Sequence, residues 1–221
     1  EDLVISEKYA EIRKFLTEKK DGDMDSRDIL TIKGLIRRGE ARTASSYNNI
    51  PLDRVHFLDL PFYETGKIQK NPISEADVEI VRNLLREIKP HQIFVAGDLA
   101  DPHGTHRVCT DAVFAAVDLE KEEGAKWLKD CRIWMYRGAW AEWEIENIEM
   151  AVPISPEELR AKRNSILKHQ AQMESAPFLG NDERLFWQRS EDRNRGTATL
   201  YDQLGLASYE AMEAFVEYIP L

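Results

Sequence analysis

Apolar positions along this chain follow two periods. Residues 5–20 set Ile5, Tyr9, Ile12, Phe15 and Leu16 at helical spacing, with Ser6 as a cap and lysines at the end, which predicts a helix with those side chains inward. Residues 27–47 repeat the period with Ile29, Ile32, Ile36 and Ala44 on one face. Residues 74–89 do so again with Val78, Val81, Leu84, Leu85 and Ile88, opened by a Ser74–Asp77 capping pair and stopped at Pro90. Between these helices, residues 54–60 alternate and predict a strand. The apolar run 93–96, bounded by Gly97, predicts a buried strand. After a polar loop, Val108, Ala112, Val113, Ala116 and Val117 return to helical steps. A strand is predicted at 131–136 and an edge strand at 149–155, where Pro153 cannot donate a ladder bond. Ser155, Pro156 and Glu158 open a long helix carrying Leu159, Ile166 and Met173 inward. Another helix is predicted from 181 to 204, and a last strand at 213–219. Strands and helices alternate, so the expected fold is α/β with a mostly parallel sheet and right-handed crossovers.

The loop after residues 93–96 carries Asp98, Asp101, His103 and His106. In open α/β sheets ligands bind beyond the carboxyl ends of the strands, where this loop lies. The plain account is that Asp101 caps the next helix, Pro102 takes its first position and the histidines are ordinary surface residues. Against it stands the spacing. His103 and His106 are three apart at a predicted helix start and would project from one face. Imidazole and carboxylate are the ligands of catalytic zinc, but one H-x-x-H falls short of the usual three protein ligands. Arg37 and Glu40 are also three apart on a helix, where the plain account is a surface ion pair worth under about 1 kcal/mol.

Composition narrows the classes. The 221 residues hold 40 acids and 30 bases, a net charge of −10, which argues against nucleic acid as the main partner. No apolar run approaches the ~20 residues of a membrane span. With no signal-peptide pattern and two cysteines read as buried thiols of a reducing compartment, the expected location is cytoplasmic. A homo-oligomer stays open.

Taken together, these segments resemble the LmbE/PIG-L family of zinc-dependent de-N-acetylases. The stretch from Asp98 to His106 is similar to its second metal motif, Arg37 to Glu40 to its R-x-x-E helix, and residues 57–66 to the strand and loop that follow. The stretch Lys168 to Gln172 is similar to its late H-x-S-Q segment. The wording across most of the chain is closer still to the carboxyl-terminal domain of two-domain bacterial sugar-phosphate deaminase-like proteins. The family's first motif, His-Pro-Asp-Asp, does not occur here. The resemblance therefore implies one Rossmann-like three-layer domain over 1–221, incomplete at its amino terminus and lacking its first strands.

The implied reaction is metal-assisted removal of an acetyl group from an N-acetylated sugar or sugar derivative. His106 would be the one zinc ligand of this chain, with the general base and two ligands upstream of Glu1, so the chain alone is expected to be inactive. His103 would face the oxyanion or protonate the amine, and Asp98 or Asp101 would orient an imidazole. Arg37, Glu40, Glu64 and His169 would bind the amino-sugar substrate. The implied partner is an upstream segment or domain of the same protein. Two alternatives stay open: a sugar-phosphate deaminase, and a non-catalytic interaction domain using the acidic aromatic surface near Trp140 and Trp143.

Overall fold

The computed structural model describes residues 2–20, 22–63, 70–97, 104–138, 141–173 and 183–219, with side chains from residue 5 onward. Helices α1 (Asp2–Glu18), α2 (Arg27–Tyr47) and α3 (Glu75–Ile88) come first. Strand β1 (Gln92–Ala96), α4 (Thr105–Glu122) and β2 (Arg132–Tyr136) follow. Then come β3 (Met150–Ile154), α5 (Pro156–Ile166), the single turn α6 (Gln170–Met173), α7 (Phe186–Gln203) and β4 (Ala211–Tyr218).

The described strands form one sheet in the order β1-β2-β4-β3. The β1–β2 pair is parallel, while β4 runs antiparallel to both β2 and β3. The alternation of strand and helix stands. The pairing of these four strands is mixed rather than mostly parallel, because β4 enters between β2 and β3 in the reverse direction. As expected, β3 is an edge strand and accommodates Pro153.

Three layers result. Ile93, Val95, Ile133 and Met135 face α3 and α4, packing with Val78, Val81, Leu85, Ala112, Ala116 and Val117. Across that interface Arg82 and Arg86 both donate to Oε1 of the buried Glu120 at 2.6 Å. On the other sheet face Phe94 meets Phe215 edge to face, with ring centroids 5.4 Å apart. There α7 is tied to β4 by the Asn194 amide, which donates to the Met212 carbonyl at 2.7 Å.

Several expectations change. Residues 55–60 join no ladder, and Leu52–Arg54 is a turn of 3-10 helix, so the strand over 54–60 does not form. A sheet contributes ladder bonds only where a partner strand lies alongside, and no described strand does. Helix α1 turns Ile5, Tyr9 and Leu16 to solvent, and Ile32 and Ile36 of α2 are also exposed; Ile29 and Ala44 are buried as expected. The helix expected over 156–173 breaks at 167–169 into α5 and α6. Helix α7 starts at Phe186 rather than near 181. Cys109 is exposed and Cys131 half-buried, so neither is a core thiol.

Candidate functional site

Two capping boxes start helices of this fold. Ser74 and Asp77 form the box that starts α3, and Asp77 also accepts the amide of the buried Phe62 at 2.9 Å. Ser155 and Glu158 form the box that starts α5, with Pro156 in the first turn.

Helix α4 begins at Thr105, with Gly104 as its N-cap at φ +66°. The cap is therefore Gly104 and not Asp101. Left-handed backbone suits glycine, which lacks the Cβ that would clash there. The expectation that His103 and His106 share one face falls on His103, which lies outside the described residues. His106 lies in the exposed first turn of α4. One turn later, Thr110 donates its hydroxyl to the Ala96 carbonyl at 2.7 Å. Residues four apart share a helix face, so this bond brings the His106 side of α4 to the carboxyl end of β1.

Asp98, Asp101, His103 and Glu64 lie outside the described residues. Of the other expected site residues, Arg37 is exposed on α2, and Glu40, one turn along, is half-buried. Glu40 Oε1 accepts the Ala171 amide at 2.7 Å, which joins the R-x-x-E helix to α6. Glu40 Oε2 and His169 Nδ1 are both buried without a hydrogen-bond partner among the described residues. Described residues alone bring no three His, Cys, Asp or Glu side chains together as a metal site. His106 by itself does not fit zinc, which takes three or four ligands.

The rim holds more than the sequence indicated. Gly97 continues the β1–β2 ladder, donating to the Tyr136 carbonyl at 2.8 Å. A Cβ on Gly97 would lie 2.7 Å from Cζ2 of Trp143 and 2.8 Å from Cβ of Met135, so only glycine fits. Arg137 lies over the Trp143 ring, 4.0 Å from its centroid. Glu142 accepts from Arg193 Nη1 and from Thr197 Oγ1, both at 2.7 Å. Glu142 and Trp143 are therefore engaged by the fold, and the acidic aromatic surface proposed from sequence is not free at these two positions; Trp140 lies outside the described residues.

Beneath this segment, Glu213 of β4 pairs with Lys162 at 2.6 Å and with Arg193. Burial pulls the Lys162 ammonium below the usual lysine range, only partly offset by Glu213. Burial pushes the Glu213 carboxyl up, but Lys162 and Arg193 outweigh it and hold the group below the usual range. Burial, then the Glu213 charge and Cys109, raise the Tyr136 phenol. No hydrophobic period marks these residues in the sequence; only the Trp-Glu density at 140–144 hinted at them.

Residues 15–117 match the PIG-L family, described as GlcNAc-PI de-N-acetylase. A glucosamine-6-phosphate deaminase-like protein of Bacteroides thetaiotaomicron is 99% identical over 221 residues, covering 100% of this chain and 33% of that protein. The chain thus spans a third of the length of this curated relative. The N,N'-diacetylchitobiose deacetylase from Pyrococcus horikoshii superposes with a TM-score of 0.50 at 17% identity, over 84% of this chain and 64% of that one. A deacetylase of teicoplanin biosynthesis gives a TM-score of 0.50 at 17% identity, over 83% and 73%. At that identity the likeness establishes the fold: a mixed α/β architecture similar to that of these deacetylases. No helix among the described residues is long and apolar enough to cross a membrane.

Proposed function

Since residues 15–117 match the PIG-L family, we propose that this chain is part of a hydrolase that removes acetyl from an N-acetylated sugar or sugar derivative. The observation that carries the reading is the placement of His106. It stands in the first turn of α4, inside the matched segment, and the Thr110–Ala96 bond holds that helix at the carboxyl end of β1. That rim is where α/β sheets bind ligands.

In the reaction a water oxygen adds to the acetamide carbonyl, the C–N bond breaks, and acetate and a free amine leave. His103 would donate to the developing oxyanion or pass a proton to the amine. Asp98 or Asp101 would orient an imidazole. Arg37, exposed on α2, suits a sugar hydroxyl or phosphate, with Glu64 and His169 as further contacts. Glu40 acts at one remove, through its bond to α6. The family implies zinc, which when bound would supply a Lewis acid. His106 would be one ligand, and the general base and remaining ligands would come from upstream residues of the longer protein. The described residues do not complete that site.

The test is to incubate the complete protein with N-acetylglucosamine and its 6-phosphate and to follow acetate and free amine. Equal release of both supports the reading. Ammonia released from glucosamine 6-phosphate, with no acetate from either N-acetylated sugar, would instead favour the sugar-phosphate deaminase suggested by the name of the long relative.

A further inference from the structure

The chain after β2 crosses the rim and is fastened on both sides of the sheet. On one side Trp143 fills the space that a side chain at Gly97 would need, with Cζ2 and Cη2 at 2.7 and 2.9 Å from the missing Cβ. Gly97 follows Val95 by two along β1, so this is the face that carries α3 and α4. Arg137 closes over the outer face of the indole, a cation–π contact. On the other side the preceding residue, Glu142, is held by Arg193 and Thr197 of α7. Arg193 is itself braced against Glu213 of β4. Residues 141–144 have no helix or ladder of their own. Side-chain anchors therefore fix their path.

These anchors converge on one point, the end of β1. Ala96 takes the hydroxyl of Thr110, which locates the first turn of α4 and His106. Gly97 is pinned between Tyr136 and Trp143, and Asp98 follows it in sequence. A shift of Trp143 would remove the side-chain packing from Gly97 and leave the Tyr136 bond alone to hold it.

We infer that residues 141–144 form a strap, and that Trp143, seated on Gly97 and tethered through Glu142 to α7, is a positioning residue that sets where His106 stands in the deacetylation reaction. The inference rests on that reading of the reaction and adds to it a residue far along the chain from the matched segment. A positioning group acts through geometry, and a displacement of about 1 Å costs on the order of 100-fold in rate.

The experiment compares Trp143→Ala, Trp143→Phe, Thr197→Val and the double variant Trp143→Ala/Thr197→Val in the complete protein. It measures kcat and KM for acetate release, together with the imidazole NMR signals of His106. Thr197→Val keeps the side-chain shape while removing one tether, so it still reads the strap if Trp143→Ala fails to fold. Trp143→Ala is expected to lower kcat about 100-fold with KM little changed, and Trp143→Phe to recover most of that loss. Thr197→Val should act in the same direction. The double variant should be no worse than Trp143→Ala, because both changes release the same strap. The His106 signals should move in step. Wild-type kcat in Trp143→Ala, or a double variant whose losses multiply, would overturn the inference. If the wild-type protein deacetylates nothing, the reading of the reaction fails. The His106 signals then decide alone: displaced in both single variants they sustain the strap, and unmoved they end it.

Discussion

Glu40 and Ala171 meet across 131 positions of sequence, the carboxylate Oε1 accepting the backbone amide at 2.7 Å. The bond fastens α2 to α6 beside His169, and so couples two stretches that carry family resemblance. It also redirects the expectation for Glu40, whose first oxygen is spent on the fold rather than on a ligand.

Replacing Glu40 with Ala should cost about 1 kcal/mol, the usual net value of such a bond, while Glu40→Gln keeps an acceptor and loses less. Amide exchange at Ala171 reads this directly. Exchange should accelerate in Glu40→Ala and stay slow in Glu40→Gln. Unchanged exchange in Glu40→Ala would remove the link between α2 and α6.

Thr110 is 7% exposed and holds Ala96 at 2.7 Å. Thr110→Val leaves that carbonyl without its partner, a cost of about 1–3 kcal/mol, and Thr110→Ser should restore it. Urea unfolding gives the energy. Equal midpoints for wild type and Thr110→Val would show that α4 is not fastened to β1 through this hydroxyl.

Asp77 is fully buried. Burial would raise its pKa, but the Ser74 hydroxyl and the amides of Phe62, Ser74 and Asp77 itself outweigh burial and hold the carboxyl below its ordinary range. A depressed carboxyl contributes stability that is present above the unfolded value, about 3.9, and lost as the pH falls through the folded value. Wild-type unfolding free energy should therefore drop below about pH 4. In Asp77→Asn this part of the drop should be missing, and stability at neutral pH should be lower by about 1–3 kcal/mol. Parallel pH profiles for the two proteins would refute the assignment.

Metal content separates the roles proposed for the two histidines. Residues 1–221 alone should hold less than stoichiometric zinc, since His106 is one ligand of the three or more required. In the complete protein His106→Ala should lose the metal. His103→Gln should keep it and lower kcat about 10²- to 10⁴-fold, the range of a lost proton donor. Full zinc in His106→Ala, measured by elemental analysis, would move the ligand elsewhere.

Local signals predicted the local structure. The span of α2, β1, β2 and the two capping boxes at Ser74 and Ser155 follow from periodicity and cap chemistry, which act over a few residues. The expectations for Ile5, Tyr9 and the strand over 54–60 required a partner, and periodicity cannot supply one. The break between α5 and α6 was equally hidden, since Leu167 to His169 carry no Gly or Pro. At the site, spacing suggested His106, which stands in the first turn of α4, while the N-cap at Gly104 follows from a left-handed backbone that no periodicity announces. Thr110, Gly97 and Trp143 were unreadable as site residues, because each acts on a neighbour distant in sequence or on another element.

The sheet order β1-β2-β4-β3 also fixes a sequence of events. Strand β3 pairs with β4 alone among the described strands, and β4 is the last of them to be synthesised. A nascent chain that has made β3, α5 and α7 must therefore carry an open strand until β4 slides between β2 and β3. Such long-range pairing is slow and exposes edges that invite association. Pro153 and the shortness of β3 guard that edge during the wait. A chain cut before Ala211 would strand β3 permanently, and Lys162 and Arg193 would lose the Glu213 carboxylate that compensates their burial.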